Sequence, residues 1–124
     1  MARQKKTNIT YRVADSGSVK VLERTVESGN DEFTFYDIRI ANTVIIKDCR
    51  LISGTNGDFI ASPARKAGDN YYPYAYISEA VQDAVLDLLD DESAWQDTDE
   101  TYLTFEMQDK QEKQDKPVSN RRRR

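Results

Sequence analysis

FTFYDIRIANTVIIKDCRLI, residues Phe33–Ile52, decides the fold. Both halves are rich in β-branched and aromatic side chains, the types that fit a pleated, half-buried surface. They meet at Ala41-Asn42, which predicts a hairpin. A two-residue turn there sets Asp37 opposite Ile46, Phe35 opposite Asp48 and Phe33 opposite Arg50. Alternation gives one face to Phe33, Phe35, Asp37, Arg39, Val44, Ile46, Asp48 and Arg50. The other holds Tyr36, Ile38, Ile40, Ile45, Lys47, Cys49 and Leu51; being more apolar, it is the face expected against the core. Lys47 and Arg50 then point to opposite sides of a regular strand, and reach one site only where a bulge or strand end intervenes.

Working outward from this hairpin, residues 1–17 read as a basic N-terminal segment leading into a first strand. SVKVLERTVE (Ser18–Glu27) is another strand, and SGNDE (Ser28–Glu32) the turn into Phe33. On the other side, SGTNG (Ser53–Gly57) predicts a turn and DFIAS a returning strand that Pro63, lacking an N–H, ends or confines to an edge. A basic loop and YYPYAYI (Tyr71–Ile77) follow. Ser78 stands where an N-cap belongs, ahead of EAVQDAVLDLL. Val81, Ala84, Val85, Leu88 and Leu89 recur at helical spacing, which makes this an amphipathic helix with Glu79, Asp83 and Asp87 on its wet side. Trp95 is the one anchor in the acidic DDESAWQDTDE, and TYLTFEM (Thr101–Met107) alternates like a last strand. Residues 108–124 have Val118 as their one apolar side chain and are expected to be a disordered basic tail. The fold class that results is α+β: an antiparallel sheet with one packed C-terminal amphipathic helix.

The chain has 124 residues, 38% of them apolar and 32% charged, enough for one domain with a modest core. A single cysteine, Cys49, excludes an internal disulfide, and without histidine a zinc site lacks its usual ligands. No signal sequence is recognisable and no run approaches about 18 apolar residues, so a cytoplasmic protein is expected. Net charge is −4, but its distribution is uneven. Residues 1–30 carry six bases and three acids, residues 81–109 ten acids and no base, and residues 110–124 seven bases and two acids. Such asymmetry points to polyelectrolyte partners.

The cations have the clearest chemistry. Arg65-Lys66, in front of Gly68 at the end of a strand, places two charges where they can neutralise phosphate without reading sequence. Arg50, with Phe33 and Phe35 on its predicted face, suggests a stacking and phosphate-binding platform. The blander reading of Arg39 and Arg50, each two residues after an aspartate, is an ion pair within the strand. Arg121, Arg122, Arg123 and Arg124 add affinity by counterion release, or fold back on the acidic block 83–100. The run of tyrosines between 71 and 76 is expected to pack about half its rings against the sheet. No nucleophile–base pair and no Gly-rich phosphate motif is present, so neither enzymatic activity, a cofactor, a metal nor a small-molecule substrate is expected.

Val44–Leu89 resembles the stage V sporulation protein G (SpoVG, or septation-protein) family. The matching residues are Lys47-Asp48-Cys49-Arg50-Leu51-Ile52, then Asn56-Gly57-Asp58-Phe59-Ile60-Ala61, Ser62-Pro63 with that pair reversed, and Arg65-Lys66. Tyr74-Ala75-Tyr76-Ile77, Ser78 and Ala84-Val85 complete the match. The family's two histidine positions are not filled by histidine here. The resemblance implies an α+β domain over residues 18–107 that forms a homodimer and binds DNA or RNA as a regulator. Arg65 and Lys66, then Arg50 and Lys47, are its expected nucleic-acid contacts, with the basic ends as auxiliaries. A contrasting expectation, from charge alone, is an acidic protein-interaction module or DNA mimic built on residues 83–100.

Overall fold

A computed structural model describes residues 7–107. Five strands follow one another as a meander: β1 (Thr7–Asp15), β2 (Val19–Ser28), β3 (Asp31–Ile40), β4 (Val44–Gly54) and β5 (Gly57–Ala61). Two short strands, β6 (Ala64–Ala67) and β7 (Asn70–Pro73), pair only with each other. The helix α1 (Glu79–Leu89), a 3-10 turn (Glu92–Ala94) and the two-residue β8 (Gln96–Asp97) complete the order. The main sheet runs β5-β4-β3-β2-β1-β8, antiparallel throughout. The class is therefore α+β, mostly antiparallel sheet with one helix. The expected basic tail, 108–124, lies outside the described residues, and among those described no helix is long and apolar enough to cross a membrane.

The helix occupies the span that its periodicity predicts. Ser78 accepts the Val81 N–H, which satisfies one of the donors left over at a helix start. Val85 and Leu88 are buried with Val19, Val21, Tyr36, Ile38, Cys49 and Ile60 in one cluster. Each such apolar side chain contributes roughly 1.5–3 kcal/mol. Trp95 closes the cluster and donates its indole N–H to the Leu88 carbonyl at 2.8 Å. At the other end of the helix, Gln82 accepts the Ile60 N–H at 2.8 Å and donates to the Ile60 carbonyl at 2.7 Å. A side-chain amide thus serves β5 as a neighbouring strand would.

The hairpin register differs from the expected one. Three residues, Ala41, Asn42 and Thr43, make the turn, with Ala41 at φ +54°, and the pairing is Ile38 with Ile46 and Ile40 with Val44. Ile46, not Ile45, therefore packs against the core. Lys47 leaves the core face as well. Further along, Tyr36 pairs with Cys49, so one extra residue has entered β4; Asp48, at φ +62°, marks this β-bulge. The bulge returns Cys49 to the core side, as expected, but by a different path.

Both faces of the sheet are covered at one end. Tyr36, Asp37, Ile38 and Arg39 are consecutive and all buried, which alternation alone would not allow. Helix α1 lies on the inner face. On the outer face, the C-terminal segment brings Leu103, 7% exposed, to the sheet, and Arg39 donates to the Thr104 carbonyl and to Glu106. Thr101–Met107 is not the strand its alternation predicts. Its backbone groups are met by side chains instead: Asn42 donates to the Glu106 carbonyl and accepts the Glu106 N–H.

Replacing Gln82 with Ala removes both bonds to Ile60. The expected cost is about 1–3 kcal/mol in urea unfolding, with a lowered midpoint and little change in slope.

Candidate nucleic-acid interface

Residues Ser62–Ala75 build a projecting ribbon. Pairing of Ala67 with Asn70 leaves a two-residue turn, and Gly68, at φ +67°, takes the conformation such a turn requires. At its base the Ser62 hydroxyl donates to the Ala75 carbonyl at 2.8 Å and accepts the Ala75 N–H at 3.2 Å, while the Tyr74 N–H donates to the Pro63 carbonyl. The two ends are thereby fastened together. Arg65 and Lys66, expected on a loop, lie instead on β6, because Pro63 ends β5 and the chain then turns back on itself at Gly68-Asp69. Arg65 pairs with Tyr72 and Lys66 with Tyr71, so the ribbon carries one cation and one aromatic ring on each face. The guanidinium sits 5.8 Å from the Tyr72 ring centre and the ammonium 5.7 Å from that of Tyr71. At this range the ring faces attract the charges and hold them beside the ring.

The tyrosines do not pack as expected. Tyr71, Tyr72, Tyr74 and Tyr76 are all exposed, Tyr76 by 87%. With strands on neither side, β6 and β7 have no sheet face for rings to cover. Their role as partners of Arg65 and Lys66 had no signal in the sequence beyond the spacing across Gly68.

Lys47 and Arg50 come together through the bulge. Lys47 follows core-facing Ile46 and Arg50 follows core-facing Cys49, so both fall on the outer face. What holds the bulge is Asp37. Its carboxylate, fully buried, accepts the Asp48 N–H at 2.9 Å and faces Arg24 at 3.5 Å; Arg24 also pairs with Asp48 and lies 5.4 Å over the Phe35 ring. The acids do not pair within their own strands, as expected from spacing. Asp37 and Asp48 turn to Arg24 of β2, and Arg39 turns to Glu106. Arg50 pairs across with Ala61, the last residue of β5, from which the chain enters the ribbon.

Among the described residues, Arg12, Lys20, Arg24 and Arg39 each have a carboxylate within 4.0 Å. Lys47, Arg50, Arg65 and Lys66 have none, and all four are exposed. Exposed Asp48 and Asp69 neighbour them in the chain without pairing to them, and other acids lie farther off. Asp83 and Asp87 face water on α1, across the sheet from Lys47 and Arg50, and Asp97 and Asp99 flank the β8 edge, at the far end of the strand order from β5. A depression of about 440 Å³ at that edge, lined by Ile9, Thr10, Tyr11, Asp97, Thr98 and Asp99, offers no cation to an anionic ligand. Arg121–Arg124 lie outside the described residues.

Two groups under the outer face titrate unusually. Burial first, then Asp37 and Asp48, push the Cys49 thiol up to about 12, and burial followed by Glu23 pushes the Tyr36 phenol up to about 12. Arg12, hydrogen-bonded to Glu23 and Glu92, is held still more firmly in its charged form. Cys49 and Tyr36 bind their protons more tightly folded than unfolded. Their contribution is complete below about pH 9 and is lost as pH rises through about 12. The free energy of unfolding is expected to decline from about pH 9 to 12, and Tyr36→Phe to reduce that decline, as read from urea melts.

Asp37→Ala strands the Asp48 N–H and half-frees Arg24; a loss of about 2–4 kcal/mol is expected in urea unfolding, with Asp37→Asn, which keeps an acceptor, losing less. Comparison of the chain with family models, with curated proteins and with solved structures found no match.

Proposed function

We propose that this protein binds nucleic acid, DNA or RNA, mainly through phosphate contacts, as a regulator of the kind that the stage V sporulation protein G resemblance implies. One observation carries the reading. The described cations left without a carboxylate, Arg65, Lys66, Arg50 and Lys47, are those on the ribbon and on the adjoining outer face. Arg12, Arg24 and Arg39, by contrast, are each paired with a carboxylate. Unpaired cations instead stay available to displace counterions from a phosphate backbone. The ribbon's size suits the task too, since a two-stranded β-ribbon fits the major groove of a duplex. The chain works in the cytoplasm as a homodimer on this reading, with no cofactor and no small-molecule substrate.

Fluorescence anisotropy with labelled single- and double-stranded oligonucleotides at two salt concentrations tests it. Affinity is expected to fall steeply with salt. The double variant Arg65→Gln, Lys66→Gln should weaken binding to every sequence alike and reduce the salt slope by about 0.7–0.9 for each phosphate that is no longer neutralised. Deleting Arg121–Arg124 should lower the slope again. Absence of binding at low salt would favour the acidic interaction module, and stronger binding after the deletion would make the tail a competitor.

A further inference from the structure

One half of the outer face is left open by the described residues. Leu103 and the residues around it cover the end of the sheet that holds Leu22, Asp37 and Arg39, all buried. Toward the other end, Ile9, Val26 and Phe33 form one row across β1, β2 and β3, and Ile52 and Phe59 pair across β4 and β5. All five share the outer face, since each is an even number of positions from an outer residue or directly opposite one. Ile9 is 46%, Phe33 50% and Phe59 43% exposed. An apolar sheet face left open in this way marks a binding surface.

Charge decides what it binds. Where the covered and open halves meet, Asp37 and Asp48 are engaged by Arg24, whereas Lys47 and Arg50 have no carboxylate within 4.0 Å among the described residues. A second copy packed face to face would offer those two cations one exposed acid of this half, Asp31, and leave the seam with an excess of positive charge. A partner with flat apolar rings and a regularly spaced negative charge satisfies both requirements. Phe35 already lies beneath the Arg24 guanidinium, but among the described residues no cation covers Phe33. We propose that single-stranded nucleic acid lies along this bare half, with a base stacked on Phe33 and phosphates on Arg50 and Lys47. The inference rests on the nucleic-acid reading and narrows it: bases in a duplex are stacked on one another and cannot reach a flat sheet face.

The probe is a labelled oligothymidine, compared with an abasic strand of equal length and a duplex. Phe33→Ala is expected to weaken oligothymidine binding about ten-fold without altering the salt slope, and Phe33→Tyr to restore it. Duplex binding, carried by the ribbon, should be unchanged. Wild-type protein should bind the abasic strand about as weakly as Phe33→Ala binds oligothymidine. That comparison needs no variant, so it decides the matter even if Phe33→Ala fails to fold. Equal affinity for the abasic and thymidine strands overturns the inference, as does an equal loss on duplex, or a change from dimer to monomer in sedimentation as the effect of Phe33→Ala. Oligothymidine binding that survives Phe33→Ala intact overturns the stacking surface alone; no binding of wild type to any probe overturns the nucleic-acid reading with it.

Discussion

A buried carboxylate, Asp37, sets the geometry on which the candidate interface depends. Taking such a group out of water is costly unless its oxygens are met, and here one accepts the Asp48 N–H while the other faces Arg24. The N–H belongs to a residue at φ +62°, a conformation that costs a non-glycine side chain roughly 1 kcal/mol. The two demands answer each other. The bulge supplies the donor that the buried acid needs, and the acid stabilises the backbone that the bulge needs. In a regular β4 of the same length Lys47 and Arg50, three positions apart, would fall on opposite faces.

The inner and outer faces are built on different terms. Inside, α1 supplies the apolar layer and Trp95 closes it, with Arg12 stacked 5.2 Å from the indole and paired to Glu23 and Glu92. Outside, an extended segment covers half the sheet through Leu103 and through the bonds of Arg39 and Asn42 to its backbone. Four consecutive buried residues of β3 follow from that double cover. The ribbon and the unpaired cations lie toward β4 and β5, while Asp83 and Asp87 lie on α1 and Asp97 and Asp99 near β8. The sheet thus stands between the acids of α1 and the cations Lys47 and Arg50.

Much of this order is legible in the residues themselves. The helix is, because its apolar spacing, its Ser78 cap and its acidic start all agree, and agreement between levels is what sequence reading depends on. The positions of β2 to β5 are legible to within two residues for the same reason. Register is not. It turns on whether Ala41 accepts positive φ to make a three-residue turn, and alanine gives no sign of that. The bulge is silent too, since Asp48 carries none of the glycine that marks such sites, and its stabilising partner Arg24 comes from a strand whose alignment had yet to be fixed. The tyrosines mislead because aromatic runs normally find a sheet to pack on, and the ribbon has none. Thr101–Met107 alternates as a strand does, but alternation reports which side chains are buried, not what meets the backbone. The site cations fare better: a pair of bases beside Gly68 after a strand-ending Pro63 can be located without knowing the register.

Gln82 has a consequence for how copies of this chain meet. A sheet margin is a template on which further chains can add, and β5 forms one margin of this sheet. The N–H and C=O of Ile60 on it are occupied by an amide anchored on a helix, and five residues leave little length beside that plug. Open-ended growth along this margin must first peel the helix away, so resistance to fibre formation is tied to the last contact that α1 gives up.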